Sequence, residues 1–380
     1  MAQQTAAKTK GAADVLGHPP AGLPAGWATL AVTVDRRRLR CRYQVSHQFA
    51  HAVLAQHDSP FNSALIVSYD GGGDDGCFHA FVSRSRTERP SPVLASSVCP
   101  GTVYGVLASL VADVSRSRSC LEFNQWSSEG HFLALPGKLM AYASLGTVQP
   151  VLLELVSTFF ETWHREHYYQ LCGMHAAALR EIIGEAMRNT SGRGTPASAL
   201  SDGRAPEESE PHALQKLLVG GEAGANLAAT IQAAFERLAG STVQHLLRMH
   251  RRTVDGIVLV GGCALNVRAN QRVSDLAAES GLSVYVPAAP NDAGIVVGAI
   301  WALSPPPVPA VHVGRPQRLQ YSGPYVFDRH ELPAAAARRG ALPVNLNVVA
   351  DWLGHGHVIG MVRGRTEWGP RALGHRSLLG

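Results

Sequence analysis

The sequence predicts an α/β fold, and three features of its apolar patterning indicate this class. Short apolar runs that suit buried strands occur at residues 64–69 and 256–260, and each run ends in glycines. Longer stretches at residues 151–188 and 226–247 carry apolar residues at helical spacing. A strand that ends in a glycine turn and leads into a helix is typical of sheets that bind a ligand at their strand ends.

The other elements follow from the same patterns. Residues 28–34 alternate and are β-branched, as in a strand, and residues 47–56 suit a short helix. Residues 282–287 form a further predicted strand, and a helix of small apolar residues follows as far as Leu303. The polar residues 191–212, rich in Gly, Pro and Ser, are typical of an exposed, disordered insertion.

Composition along the chain sets the expected domain limits. Residues 1–26 lack an apolar period and indicate a flexible leader. A Pro-rich stretch begins at Ser304 and marks the end of a main domain at residues 27–303. We therefore expect a linker at residues 304–340 and the beginning of a second domain at residues 341–380.

Overall composition narrows the class of protein. With 46% apolar and 17% charged residues, the chain is expected to be a soluble globular protein, and its net charge of +5 comes almost entirely from scattered arginines. This pattern favours anionic small molecules over nucleic acid. No apolar run approaches the roughly 20 residues that cross a bilayer. The six cysteines form no C-x-x-C pair and no secretion signal is visible, so a reduced, cytoplasmic location is expected.

His47 and His51 are candidates for a metal site because they lie four residues apart. A helix would place both imidazoles on one face, although ordinary surface or core histidines show the same spacing. Asp70 ends a predicted strand and Asp292 opens a predicted helix, so both could add oxygen ligands. Two histidines with one or two carboxylates suit Fe(II), Mn(II) or Zn(II) better than Ca(II) or Mg(II).

Two glycine turns at strand ends are candidates for phosphate binding. One contains Gly71 and Gly72, and the other contains Gly261 and Gly262 and leads to Asn266. Exposed backbone N–H groups at such turns can cradle an anion. Each could also be an ordinary tight turn, because neither matches the P-loop or the dinucleotide pattern.

Two further groups place positive charge at candidate anion sites. Lys138 is the only lysine between residues 11 and 215, and a phosphate or backbone contact is expected for it. Near the C-terminal end, Arg365, Arg371 and Arg376 lie among glycines beside Glu367. A guanidinium offers phosphate or carboxylate a planar pair of donors. The alternative is a surface arginine cluster that pairs with Glu367.

Seven motifs, in their order, resemble those of the NodU/TobZ-type O-carbamoyltransferases, and the resemblance covers roughly residues 28–380 apart from residues 191–212. The motifs are His47-Gln48-Phe49-Ala50-His51-Ala52, Asp70-Gly71, Pro136-Gly137-Lys138-Leu139-Met140, Gly261-Gly262-Cys263-Ala264-Leu265-Asn266, Asn291-Asp292-Ala293-Gly294, Tyr321-Ser322-Gly323-Pro324 and Glu367-Trp368-Gly369-Pro370-Arg371-Ala372-Leu373-Gly374-His375-Arg376-Ser377. Each motif is weak by itself, but the ordered set is specific.

The resemblance implies a first domain similar to the Kae1 tRNA-modification protein, with the two-lobed fold of actin, sugar kinases and Hsp70, and a second domain similar to YrdC. It implies a divalent metal, Fe(II) before Mn(II) or Zn(II), bound by His47, His51, Asp70 and Asp292, of which His47 and Asp292 act in catalysis. The residues expected to contact ATP or carbamoyl phosphate are Gly71, Gly72, Lys138, Gly261, Gly262, Asn266, Arg365, Arg371 and Arg376.

The implied reaction forms carbamoyl-adenylate from carbamoyl phosphate and ATP in the YrdC-like domain, and the Kae1-like domain then transfers the carbamoyl group to a hydroxyl of a sugar, an antibiotic or a related product. Only 46 residues precede His47, and the YrdC-like part ends soon after its opening motif. We therefore expect an incomplete first lobe, at best the transfer half-reaction, and a separate chain that supplies the rest of the YrdC-like domain. Two alternatives stay open: a non-catalytic or split-gene remnant that binds nucleotide and metal, and a threonylcarbamoyl-type transferase acting on tRNA, which the absence of a dense basic surface disfavours.

Overall fold

The structure is a computed structural model that describes residues 30–34, 37–41, 45–115, 129–163, 173–188, 218–307, 319–325, 328 and 330–380. The predicted leader at residues 1–26 and the predicted insertion at residues 191–212 lie outside these residues. In chain order the strands are β1 (Leu30–Val34), β2 (Arg37–Cys41), β3 (Ala64–Tyr69), β4 (Phe78–Ser83), β5 (Ser91–Ser96), β6 (Gly256–Val260), β7 (Ser283–Tyr285), β8 (Ile359–Val362) and β9 (Arg376–Leu379).

Most of the described helices lie in two groups, between β5 and β6 and between β7 and β8. The helices are α1 (His47–Asp58), α2 (Pro100–Ser109), α3 (Ala112–Ser115), α4 (Glu129–Tyr142), α5 (Pro150–Thr162), α6 (Gly173–Arg188), α7 (Gly221–His250), α8 (Val267–Ala278), α9 (Asp292–Leu303), α10 (Leu332–Arg338) and α11 (Leu346–Gly354). The predicted strands and helices of the main domain are present, with limits that differ by a few residues.

A five-stranded mixed sheet in the order β5-β4-β3-β6-β7 confirms the predicted α/β class. Strands β3, β6 and β7 are parallel, whereas β4 and β5 are antiparallel to their neighbours. Every residue of β3 and β6 is buried because both strands lie inside the sheet and are covered on both faces. The two-lobed arrangement implied by the resemblance stays a prediction.

Successive residues of β3 face different cores, as the pleat of a strand requires. Leu65 and Val67 belong to the larger core on the side of α2, α7 and α8. Ala64 and Ile66 belong to a smaller core with α1. The sheet therefore separates two helical layers, and α1 lies directly on one of its faces.

Helix α9 packs against the outer side of α1 at very short range. A Cβ on Gly298 would collide with the backbone of Ala50, and a Cβ on Gly294 would collide with the side chain of Leu54. Small residues at these positions let the two backbones approach closely. As a result, the beginning of α9, with Asp292, lies close to the side of α1 that carries His47 and His51.

The C-terminal part contains elements that the sequence patterns did not predict. Strands β8 and β9 form a hairpin that pairs Ile359 with Leu379, and α10 and α11 precede it. A short segment at residues 319–325 lies against residues 365–368, with Tyr325 and Arg365 as bridge partners.

The cysteines differ from expectation in one respect. Cys77 and Cys99 are joined by a disulfide, so the expectation that all cysteines are reduced is wrong for this pair, while Cys263 is a buried thiol. The cytoplasmic location stays a prediction. Among the helices that the structure describes, none combines the length and apolar character needed to cross a membrane.

Candidate metal centre

Helix α1 brings the two histidines side by side. The loop after β3 holds its first turn, because the N–H of His47 donates to Oδ1 of Asp74 (2.8 Å) and the N–H of Gln48 donates to Oδ1 of Asp75 (3.0 Å). Carboxylates at this end satisfy amides that have no partner within the helix and interact favourably with its dipole. The ring centroids of His47 and His51 are 4.9 Å apart, as their spacing predicted.

Asp70 follows β3 directly and points its carboxylate at both histidines. Its Oδ2 lies 3.2 Å from Nε2 of His47 and 3.1 Å from Nε2 of His51. The backbone is fixed on both sides, since the N–H of Asp70 donates to the Cys77 carbonyl (2.7 Å) and its carbonyl accepts from the Gly101 N–H (3.1 Å). The buried strand thus ends in a carboxylate with little freedom to move.

Asp292 completes the group from the first turn of α9. Its Oδ1 lies 3.6 Å from Nε2 of His47 and 3.8 Å from Nε2 of His51. One ligand atom from each of the four residues lies within 4.8 Å of all the others. We call these four residues, His47, His51, Asp70 and Asp292, the metal cluster. Asp292 is its accessible member, with a side chain 71% exposed, whereas His51 is fully buried.

Mutual pairing shifts the pKa values within the metal cluster. Burial disfavours the charged form of Asp70, but hydrogen bonds with His47 and His51 outweigh it and hold the pKa of this carboxyl well below its usual range. Burial also opposes the charge on His47, yet the bond with Asp70 raises its pKa. Burial and the nearby charge of Asp70 raise the pKa of Asp292. Two carboxylates converge on one point, where a cation would neutralise them.

The donor set fits a divalent transition metal. Ligand atoms that each lie about 2.1 Å from one ion are about 3–3.5 Å apart, and the distances from Asp70 to the two histidines, 3.2 and 3.1 Å, match this. Nε2 of both histidines faces the two carboxylates, so each imidazole can offer this atom to one ion. Two imidazole nitrogens and two carboxylate oxygens suit Fe(II), Mn(II) or Zn(II).

Gln48 is a supporting residue that sequence reasoning did not identify. Its buried side chain accepts a hydrogen bond from the Ser68 hydroxyl (2.6 Å) and donates one to the Gly76 carbonyl (3.0 Å). It therefore ties α1 to β3 and to the loop that caps α1. A glutamine between two candidate ligands was the only signal in the sequence, and its burial becomes visible only once the helix is packed on the sheet.

The two predicted glycine turns meet at Asp70. A Cβ on Gly262 would lie 2.8 Å from Oδ1 of Asp70, and the N–H of Gly71 donates to the same oxygen (2.7 Å). Gly261 has φ +87°, a conformation that favours glycine, so the chain can turn directly beside the strand end. Contact of a nucleotide with these turns, Gly72 included, stays a prediction.

Two other residues predicted to bind a ligand have different surroundings. Asn266 caps α8, since its Oδ1 accepts from the Ala269 N–H (3.0 Å) and its Nδ2 donates to Oε1 of Gln232 (3.0 Å). Lys138 lies in α4 and lines an open cavity of about 460 Å³. That cavity shares no lining residue with the metal cluster, and a contact of Lys138 with a phosphate stays a prediction.

The three tail arginines bond to the chain's own backbone. Arg365, Arg371 and Arg376 each donate to at least one carbonyl oxygen. Nε of Arg376 also lies 3.6 Å from Oε2 of the buried Glu367. The alternative prediction, an arginine that pairs with Glu367, therefore holds for Arg376. A role for these arginines in binding an anion stays a prediction.

The fold and the metal cluster define an α/β protein with a candidate site for one divalent metal ion. The family model of the carbamoyltransferase N-terminus matches residues 25–301, and that of the carbamoyltransferase C-terminus matches residues 350–380. The first match alone covers most of the chain. The chain therefore belongs to the carbamoyltransferase family.

Curated relatives agree with this assignment. The chain is 27% identical over 343 residues to nodulation protein U of Sinorhizobium fredii, and 29% identical over 353 residues to nodulation protein NolO of Bradyrhizobium diazoefficiens. Each alignment covers 88% of this chain and 53% of the relative, so the chain spans about half the length of these proteins. A solved structure of full-length HypF in a phosphate- and nucleotide-bound form matches at 13% identity over 69% of this chain and 43% of that one, and its TM-score of 0.30 is too low to support an argument.

Proposed function

We propose that this chain takes part in the transfer of a carbamoyl group to a hydroxyl group at the metal cluster. Family membership gives the reaction class. The observation that carries the proposal is the convergence of four ligand atoms within 4.8 Å of one another at a strand end. A hydroxyl on a sugar, an antibiotic or a related natural product as the acceptor follows from the resemblance to O-carbamoyltransferases.

The ion, Fe(II) before Mn(II) or Zn(II), would be held by His47, His51, Asp70 and Asp292. When bound, it supplies a Lewis acid that polarises a carbonyl or lowers the pKa of a hydroxyl. The chain's own contribution is a fixed geometry. Asp70 holds both imidazoles at 3.1 to 3.2 Å, and the buried Gln48 keeps α1 in register with β3.

Asp292 and His47 are the proposed catalytic residues because they lie at the open side of the metal cluster. Their side chains are 71% and 19% exposed, whereas that of His51 is fully buried. An acceptor that approaches from solvent meets Asp292 first. Its carboxylate can accept a hydrogen bond from the acceptor hydroxyl and take the proton as the oxygen attacks the carbamoyl carbon of carbamoyl-adenylate, whose bond to the phosphate breaks with release of AMP.

ATP and carbamoyl phosphate are the proposed co-substrates of the complete reaction. The resemblance assigns their conversion to carbamoyl-adenylate to a YrdC-like domain, and the chain spans about half the length of its relatives. We therefore assign the transfer step to the residues described above. An adenine nucleotide would approach the turns at Gly71 and Gly262, which meet beside Asp70.

Calorimetric titration with Mn(II), and with Fe(II) under anaerobic conditions, tests the metal cluster. We expect one ion per chain, and a loss of affinity in the His47→Ala and His51→Ala double variant that exceeds the roughly 10- to 100-fold cost of losing an outer-sphere partner. The control is the His245→Ala and His250→Ala double variant, which removes two histidines near the end of α7. Metal binding that survives the loss of His47 and His51 contradicts the site.

Mass spectrometry of reactions with ATP, carbamoyl phosphate and a panel of glycosides tests the transfer itself. A product heavier by one carbamoyl group supports the proposal. The engagement of all three tail arginines with backbone carbonyls favours a second candidate, a protein that binds metal and nucleotide without turnover. Binding that depends on His47 and His51, with no product from any acceptor, would support that second function and contradict the first.

A further inference from the structure

The arginine-rich segment near the C-terminal end contacts elements that carry or adjoin the metal cluster. We define the docking loop as residues 367–376. Its Trp368 donates from Nε1 to the carbonyl oxygen of Ala293 (3.1 Å), the residue after Asp292. Its Arg371 donates to the carbonyl oxygen of Leu265 (2.9 Å), at the end of the turn that contains Gly262. The docking loop thus touches both the helix that carries Asp292 and the turn that abuts Asp70.

The docking loop is organised around the buried carboxylate of Glu367. Its Oε1 accepts hydrogen bonds from the N–H groups of Leu373 (2.8 Å) and His375 (2.9 Å). The guanidinium of Arg376 donates to the carbonyl oxygens of Glu367 (3.2 Å), Gly369 and Arg371 (3.3 Å). Oε2 of Glu367 is buried without a hydrogen-bond partner, but the bonds made by Oε1 and by Arg376 hold the loop in one conformation from which it presents Trp368 and Arg371.

The short segment at residues 319–325 supports the docking loop from behind. The N–H of Trp368 donates to the Gln320 carbonyl (2.9 Å), and the hydroxyl of Tyr321 donates to the Leu373 carbonyl (2.8 Å). The ring of Tyr321 stacks on His375 with centroids 4.0 Å apart. Gly369 lies so close to Ala288 that any Cβ would collide with its carbonyl oxygen. The docking loop is therefore seated on the main domain and cannot move freely over it.

Asp292 needs such external support. Its side chain is 71% exposed, and its Oδ1 lies 3.6 Å from the nearest histidine nitrogen, beyond a normal hydrogen bond. Asn291, which begins the helix, makes no side-chain cap, and its Oδ1 is buried without a partner. The indole N–H of Trp368 supports the backbone of this first turn through its bond to the Ala293 carbonyl oxygen.

From these contacts we propose that Trp368 and Arg371 are positioning residues of the metal cluster, so that the docking loop sets the affinity and the coordination geometry of the bound ion. The proposal rests on the metal centre of the proposed function and adds to it. Trp368 would act through Asp292, whereas Arg371 would act on the turn beside Asp70. Loss of either bond would leave the ligands in place but less well aligned.

Cobalt(II) titration followed by visible absorption tests this proposal, because the ligand-field bands of the ion report its geometry independently of any enzymatic activity. Trp368→Phe keeps an aromatic side chain but removes the N–H donor together with the five-membered part of the indole, and we expect about fivefold weaker binding, as for the loss of one hydrogen bond, together with an altered spectrum. Arg371→Gln should give a similar loss. The matched controls are Trp352→Phe in α11 and Arg338→Gln in α10, whose exposed side chains lie outside the docking loop.

A double-mutant cycle separates positioning from general destabilisation. If Trp368 acts through Asp292, the effect of Trp368→Phe should vanish in an Asp292→Asn background. An equal loss in both backgrounds, or unchanged affinity and spectrum in both Trp368→Phe and Arg371→Gln, overturns the proposal. Circular dichroism identifies a variant that fails to fold, and the other variant then decides.

The outcome also distinguishes this inference from the proposed function. Cobalt binding that requires His47 and His51 but ignores Trp368 and Arg371 leaves the metal centre standing and removes the docking loop from it. Absence of cobalt binding in the unsubstituted chain overturns both.

Discussion

The metal cluster and the arginine-rich tail at residues 364–377 are both dense in charged side chains, yet their polar atoms are arranged in opposite ways. In the metal cluster, one atom from each of four side chains lies within 4.8 Å of the others, all facing one point. In the tail, Arg365, Arg371 and Arg376 donate to backbone carbonyl oxygens. A dense run of charge therefore does not by itself predict a ligand site. What decides is whether the chain's own backbone already satisfies those charges.

Burial widens the difference between the two regions. His51 is fully buried and Asp70 is 11% exposed, so neither can turn to water when a partner is missing. The side chain of Arg376 is 41% exposed, so water can replace a lost partner there. We therefore expect substitutions in the metal cluster to change ligand affinity, and substitutions in the tail to change local order.

The largest effect should come from Asp70→Ala. Asp70 contacts both histidines at 3.1 to 3.2 Å from a fixed strand end, whereas Asp292 is 3.6 and 3.8 Å from them and exposed. Metal affinity measured by calorimetry should fall by more than about 100-fold for Asp70→Ala and by about tenfold for Asp292→Ala, since loss of an outer-sphere partner alone costs roughly 10- to 100-fold.

The exposed Asp275 on α8 provides the matched control for this pair. Asp275→Ala removes the same charge from the chain and should leave metal affinity unchanged. Equal losses for Asp70→Ala and Asp292→Ala would show that exposure and distance do not rank the ligands, and would remove the distinction between a fixed and an open side of the metal cluster.

Much of the fold on which this cluster depends could be predicted from the sequence. Strands β3 and β6 are continuous apolar runs because they are buried on both faces, and such runs are easily recognised. Strand β5 was not predicted, because it is a partly exposed edge strand with little apolar pattern. Helix α4 was missed since Pro136 lies inside it, a residue that usually argues against a helix.

The candidate site divides in the same way. The positions of His47 and His51 follow from local helical spacing, which the sequence contains directly. The meeting of Asp70 with Asp292 depends on the approach of α9 to α1 at Gly298, a contact between residues far apart in the chain. The resemblance to the O-carbamoyltransferases predicted that Asp70 and Asp292 bind the same ion. No local sequence pattern predicted the bond from Trp368 to Ala293.

A smaller effect is expected from Glu367→Ala, which tests whether the tail is organised around this buried carboxylate. The buried carboxylate accepts from the N–H groups of Leu373 and His375 at 2.8 and 2.9 Å. Removal leaves these two amides without their acceptor and Arg376 without its ion-pair partner, at a cost of about 2–3 kcal/mol. Hydrogen exchange at the amides of Leu373 and His375 should accelerate by roughly 30- to 150-fold.

Glu331→Ala, at an exposed glutamate that precedes α10 and makes no cap, is the matched control and should leave both amides protected. Unchanged protection in Glu367→Ala would mean that the tail is not organised around this carboxylate. The contrast between the metal cluster and a tail whose charged groups bond to its own backbone would then fail for the tail.

The smallest effect is expected at Asp58, where the helix that carries His47 and His51 meets the segment that supports the docking loop. This buried carboxylate at the end of α1 accepts a hydrogen bond from the Tyr285 hydroxyl (3.0 Å) and one from the N–H of Leu319, in the segment that supports the docking loop. Burial raises the pKa of Asp58 from 3.8 to about 6, although both hydrogen bonds oppose the shift. The contact between α1 and the segment at residues 319–325 therefore involves a carboxyl group that is more easily kept neutral in the folded state than in the unfolded state.

The sign of the pH dependence follows from this shift. Between pH 3.8 and about 6 the folded state keeps a proton on Asp58 that the unfolded state releases, so the associated stability is complete below pH 3.8 and lost as the pH rises through about 6. Asp58→Asn has no proton to lose. Its free energy of unfolding, relative to the unsubstituted chain, should rise by about 2 kcal/mol between pH 4 and pH 7 and then stay constant.

The neighbouring His57 also titrates in this pH range. The measurement must therefore compare the free energies of unfolding of Asp58→Asn and the unsubstituted chain, because the pH profile of one protein alone would mix both groups. Burial, assisted by Arg86, lowers the pKa of His57 from 6.5 to about 4, so its contribution to stability is present above pH 6.5 and is lost as the pH falls through 4. The two slopes oppose each other between pH 4 and 6 in the unsubstituted chain. Urea unfolding from pH 4 to pH 8, with the exposed Asp275→Asn as control, should show a pH-dependent gain for Asp58→Asn alone. If the gain in the free energy of unfolding does not vary with pH, Asp58 is already ionised in the folded state, and the contact between α1 and residues 319–325 carries a charge.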